Sequence, residues 1–161
     1  MTPSIYLQEN LDKTKLIARY NVETIDEELL PVMIALDSVD DVGAVYALVD
    51  LPDGDLPNAI RKILMAEEPD SYIFVVECWI TEFGEAADAV GGQVTALPPD
   101  DRREVVQIMG VEKGNPKTIH YVADIKRNAN GSRSLGDWEK CETGWGPERS
   151  GNAGPFITVD W

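Results

Sequence analysis

Ser71-Tyr72-Ile73-Phe74-Val75-Val76-Glu77-Cys78-Trp79-Ile80-Thr81 reads as a β-strand. Its side chains are β-branched or aromatic almost throughout, the types that suit a pleated, half-buried surface. Apolar residues fall on both alternating faces, so the strand is expected at the centre of a sheet, covered on both sides. Glu77 alone interrupts the run. On alternation it shares a face with Ile73, Val75 and Trp79. A carboxylate placed there must be paired, hydrogen-bonded or protonated, because burying it alone costs several kcal/mol.

Upstream of this strand lies the strongest helical pattern. Leu56, Ile60, Ile63 and Leu64 recur at helical spacing, with Asp55 and Pro57 suited to its start and Pro69 to its end. Before it, Val32–Leu36 and Val42–Val49 are two apolar runs separated by Ser38-Val39-Asp40-Asp41, a hairpin pattern. Residues 4–20 predict a first helix, striped by Leu7, Leu11 and Ala18 with Ile17 beside them and ended by Asn21. Thr24-Ile25-Asp26-Glu27 matches a capping box for one further short turn.

Downstream, Glu82–Pro99 is a loop by composition. Glu104–Glu112 and Lys117–Arg127 are two strands joined by Lys113-Gly114-Asn115-Pro116. The second alternates so that one face is expected to be wet. Asn128–Ser132 is a turn, residues 133–154 have no period and are expected to be irregular, and Phe156–Val159 is a last, edge strand. Hairpins on both sides of one strong helix imply an α+β fold. The expectation is a mostly antiparallel sheet of five to six strands with two helices packed against it. No repeat or linker divides the chain, so residues 1–161 are read as a single acidic domain.

The chain carries 29 Asp and Glu against 14 Lys and Arg, a net charge of −15. Such a field repels phosphate backbones and anionic lipid, so direct nucleic-acid or membrane binding is not expected. It suits solubility, and it suits a protein partner with a basic surface. No apolar leader or membrane-length apolar run is visible, which makes the cytoplasm the expected location. Cys78 lies in the apolar strand, where an inert thiol is usual; Cys141 lies in polar sequence, and the pair forms no zinc or redox motif.

Motifs for nucleotide, zinc-protease or serine-hydrolase chemistry are missing, and the chain holds a single histidine. No cofactor is expected. Three residues are candidates for catalysis: Glu77, His120 and Arg103. Glu77 is either an ion-pair member or a general acid or base with a raised pKa. Arg102 and Arg103 precede a strand that, if antiparallel to the first, brings them towards Glu77, where a guanidinium can hold a carboxylate or phosphate. His120 and Asp124 are about 13 Å apart along one strand, at roughly 3.3 Å per residue, so they cannot form a dyad. A lone histidine on a polar face is ordinarily solvated.

Glu77, Glu104 and Asp124 are candidate ligands for Mg²⁺ or Mn²⁺, with Lys126 or Arg127 near a phosphate. Such a site implies a metal-dependent hydrolase or nuclease. Trp138, Trp145 and Arg133 are candidates for a partner surface, since Trp and Arg concentrate binding energy; otherwise the tryptophans pin the C-terminal segment to the core. Glu-Cys-Trp followed downstream by Asp-Asp-Arg-Arg-Glu resembles small acidic reading frames of bacteria and phages, and that likeness implies no activity. The function expected first is a non-catalytic accessory or interaction protein, with a homodimer through the sheet edge as one arrangement. The alternatives are the metal enzyme and an inhibitor that mimics nucleic acid.

Overall fold

The computed structural model describes residues 3–29, 31–49, 56–80, 96–115, 117–141 and 161. Helix α1 (Ile5–Tyr20) starts at Ser4, whose Oγ accepts the Leu7 N–H at 3.1 Å. Its buried stripe is Leu7, Leu11, Thr14 and Ala18. Ile17, expected beside that stripe, is 66% exposed, because one residue rotates it about 100° away from Ala18. The helix does not stop at Asn21. It widens into a π-turn, Asn21–Ile25, which ends at Asp26 with φ 57° and an N–H bonded back to Asn21. Thr24 is inside this turn, so the expected capping box does not form.

Among the described residues seven strands follow: β1 (Val32–Asp37), β2 (Val42–Ala47), β3 (Ser71–Ile80), β4 (Arg103–Glu112), β5 (Ile119–Arg127), β6 (Arg133–Leu135) and β7 (Glu139–Cys141). Helix α2 (Leu56–Glu67) lies between β2 and β3 in the chain. The order across the sheet is β2-β1-β3-β4-β5-β6, with β7 also on β5, and every pairing is antiparallel. The stretch read as a central strand is central, running beside β4 from Ser71↔Glu112 to Ile80↔Arg103.

The sheet curls into a half-barrel. Glu77 of β3 meets Arg133 of β6 although β4 and β5 stand between them, and only curvature closes that gap. The inner cluster joins Ile73, Val75, Val106, Ile108 and Tyr121 to Leu7, Leu11 and Ala18 of α1. Gly110 is required on this side: a Cβ there would stand 3.0 Å from both Leu11 methyl carbons. A second cluster joins Tyr72, Phe74, Met109 and Met33 to Ile60 and Leu64 of α2.

Three expectations are corrected. Residues 133–154 are not irregular from their start, because β6 and β7 form there. The Asn128–Ser132 turn is a tight return, with Asn128 N–H to Ser132 O at 2.8 Å and Gly131 at φ 87°, and it lays Arg133 opposite Arg127. The outward face of β5 is wet only at its far end, where Asp124 is part-exposed and Lys126 exposed. His120 and Val122 lie opposite Met109 and Gln107 and are buried, because Met109 belongs to the second cluster. The two short strands also bring the count among the described residues to seven. Most of the 82–99 loop, Trp145 and Phe156–Val159 lie outside the described residues. Among the described residues no helix is long and apolar enough to cross a membrane.

Candidate functional site

The inner face of β3 and β4 opens at one end into a cleft of about 490 Å³. Glu77, Trp79, Glu104, Arg127, Arg133 and Asp26 are among its lining residues. Strand alternation puts Glu77 and Trp79 there from β3 and Glu104 from β4, since the register sets Trp79 opposite Glu104. Arg127 and Arg133 come from the two sides of the β5–β6 return.

Glu77 is a member of a buried ion pair. Its side chain is 6% exposed and that of Arg133 7%. One carboxylate oxygen accepts from Arg133 Nη1 and the other from the Leu29 N–H. Arg133 also donates from Nε to Asp26 at 2.8 Å and from Nη2 to the Glu27 carbonyl at 2.7 Å. Burial alone would lower the guanidinium pKa, but hydrogen bonds and charge from Asp26 and Glu77 prevail and raise it. A fork engaged on three sides holds the 26–29 segment to the sheet. The surface role expected for Arg133 is therefore corrected: its side chain points into the molecule.

The other candidates are similarly engaged. Glu104 takes Arg127 Nη2 at 2.7 Å and Nε at 3.3 Å. Arg103 does not reach towards Glu77. It lies opposite Ile80, one residue out of step with the inner face, and grips Asp124 with Nε at 2.8 Å and Nη2 at 3.1 Å. Asp124 and nearby Glu139 raise its pKa against the effect of burial. Arg102, on the parity of Glu104, stacks over the Trp79 ring at 4.5 Å.

Glu77 and Glu104 thus share one face of the sheet, and Asp124 stands on the other, opposite Val105. The register separates the expected metal triad. Among the described residues no group of three His, Cys, Asp or Glu side chains is placed to hold a metal ion.

His120 is fully buried rather than solvated. Its ring nitrogens lie 3.4 Å from Gln107 Nε2 and 3.2 Å from Thr118 Oγ1. Burial lowers its pKa to about 4, so the ring is neutral near pH 7. The Cys78 thiol is pushed up to about 12 by burial and by the Glu77 charge, which keeps it protonated and unreactive. Trp138 packs partly buried against the inner cluster. Trp161 packs with Tyr72, ring centroids 5.6 Å apart, and its indole N–H donates to the Pro69 carbonyl.

Sequence reasoning missed the partner of Glu77. The signal was the Asn-Gly return at 130–131, which predicts a strand immediately after it and places Arg133 on the face of Leu135. No protein-family model matches the chain, and comparison with curated proteins and with solved structures gives no match.

Proposed function

We propose that this protein is a non-catalytic accessory protein that acts by binding a basic protein surface. One observation carries the reading: each carboxylate considered for chemistry is already held by an arginine. Glu77 has Arg133, Glu104 has Arg127 and Asp124 has Arg103. A general base needs a free lone pair within reach of its substrate, and a metal ligand needs neighbours of its own kind; these groups face guanidinium instead. The net charge of −15 remains as the property a partner can recognise at a distance.

Titration of the full chain with Mg²⁺ and Mn²⁺, and with a panel of small basic proteins, tests this. We expect no metal-induced rise in thermal midpoint, and binding to basic proteins that weakens as salt is added. A metal-induced rise joined to hydrolysis of a nucleic acid or ester would replace this reading with the metal-dependent enzyme.

A further inference from the structure

The two long edges of the sheet are finished differently. At β6 the outward main-chain groups of Leu135 are occupied. Leu135 N–H donates to Glu23 at 3.0 Å, and its carbonyl accepts Arg19 Nη1 at 2.6 Å. At β2 the outward groups have no such cover among the described residues. The Leu48 N–H donates to the Pro31 carbonyl at 2.8 Å, which fixes the phase of the β1–β2 ladder. Hydrogen-bonded pairs alternate in antiparallel pairing, so Ala44 and Tyr46 turn their main-chain groups towards β1. Gly43, Val45 and Ala47 turn theirs away.

Native edge strands are ordinarily protected by lysine, proline, a bulge or a covering element. Val-Gly-Ala-Val-Tyr-Ala at β2 contains no charge and no proline. Val42 is 54% exposed and Val45 69%. The surrounding sequence is one-sided in charge: between Arg19 and Arg61 there are ten acidic residues and no Lys, Arg or His. Asp40 and Asp41 lead directly into the strand, and Asp50 follows it closely in the chain. A second copy laid antiparallel on β2 would bring the same acids against these. A strand with basic ends would meet opposite charge at each.

We infer that β2 is a docking edge for an extended segment of a basic protein, an uncharged β-prone stretch flanked by Lys or Arg, which adds to the sheet as a further strand. This rests on the proposed function and names its surface. Main-chain bonds to Gly43, Val45 and Ala47 supply affinity, and the flanking aspartates select the partner's charge.

The test titrates the full chain into fluorescently labelled Lys-Lys-Thr-Val-Thr-Val-Thr-Val-Lys-Lys and its counterpart with Glu for Lys, followed by anisotropy. The lysine peptide should bind, and the glutamate peptide should not. Its affinity should fall as salt rises from about 0.1 to about 1 M and the screening length drops from about 10 to about 3 Å. Val45→Pro removes an outward N–H without touching the bonds to β1, so it should keep the thermal midpoint and weaken binding by at least about tenfold. Asp40→Asn with Asp41→Asn leaves the edge intact and should weaken binding and flatten its salt dependence; asparagine tolerates the positive φ of Asp41.

Undiminished binding by folded Val45→Pro, or by the double Asn variant should Val45→Pro misfold, overturns the edge inference while leaving a basic partner elsewhere. Failure of the wild type with both the lysine peptide and the basic proteins removes both readings. A dimer in sedimentation that Val45→Pro dissolves gives the edge to a second copy and also overturns the inference.

Discussion

Glu77 and Arg133 together form the most buried ion pair among the described residues. Each side chain is almost wholly removed from water, so neither charge is tolerable without the other. Arg133→Met should therefore cost about 3–5 kcal/mol, because the Glu77 carboxylate is left buried with only the Leu29 N–H among these partners. Glu77→Leu should cost less, because the guanidinium keeps the Asp26 carboxylate and the Glu27 carbonyl. The double variant should recover a large part of the Arg133→Met loss, since no carboxylate is then left buried at position 77. Urea denaturation of the three variants measures this. Single variants within about 0.5 kcal/mol of wild type would reduce the pair to a surface contact. Glu77 was legible as an anomaly from its neighbours. Arg133 was not, because its contact depends on curvature across two intervening strands, and no local pattern encodes curvature. Arg102 and Arg103 were the nearest cations by hairpin logic; a one-residue difference in parity put Arg103 on the opposite face, and Arg102 stacks on Trp79.

Elements with enough residues to display a period were readable. The α1 stripe, the β1–β2 hairpin, α2, β3 and the β4–β5 hairpin all lie where alternation or helical spacing put them. The strands β6 and β7 have three residues each, too few for alternation to register, and they owe their existence to pairing with β5. The π-turn is set from outside in the same way: Arg19 and Glu23, on either side of its start, bind the main chain at residues 135 and 136. How α1 meets the sheet depends on one absent side chain, at Gly110. Gly110→Ala should cost about 1–3 kcal/mol by overpacking against Leu11. Leu11→Ala alone should cost about 2–5 kcal/mol through the cavity it leaves. In the Leu11→Ala background the same Gly110→Ala change should cost little, because the new methyl enters vacated space. Additive losses in urea midpoints would mean that α1 does not seat on β4 through this contact.

At the scale of the whole molecule, acidity and burial oppose each other as pH falls. Protonating carboxylates reduces the charge of −15 and its self-repulsion. Protonating His120 works the other way. Unfolded, it takes a proton near pH 6.5; folded, burial holds its pKa down to about 4. The unfolded chain therefore binds the extra proton between these values. Stability from the neutral, buried ring is complete above about pH 6.5 and is lost as pH falls towards 4. At about pH 5 the loss from this residue should reach roughly 2 kcal/mol. His120→Gln removes the titration while keeping a polar side chain opposite Gln107 and Thr118. Its stability at pH 7 is expected to be lower than wild type, and its decline from pH 7 to pH 5 shallower by about that amount. Denaturant midpoints at several pH values give both curves. Parallel curves over this interval would mean that water reaches the ring and that the outer face of β5 is wet at His120 as well.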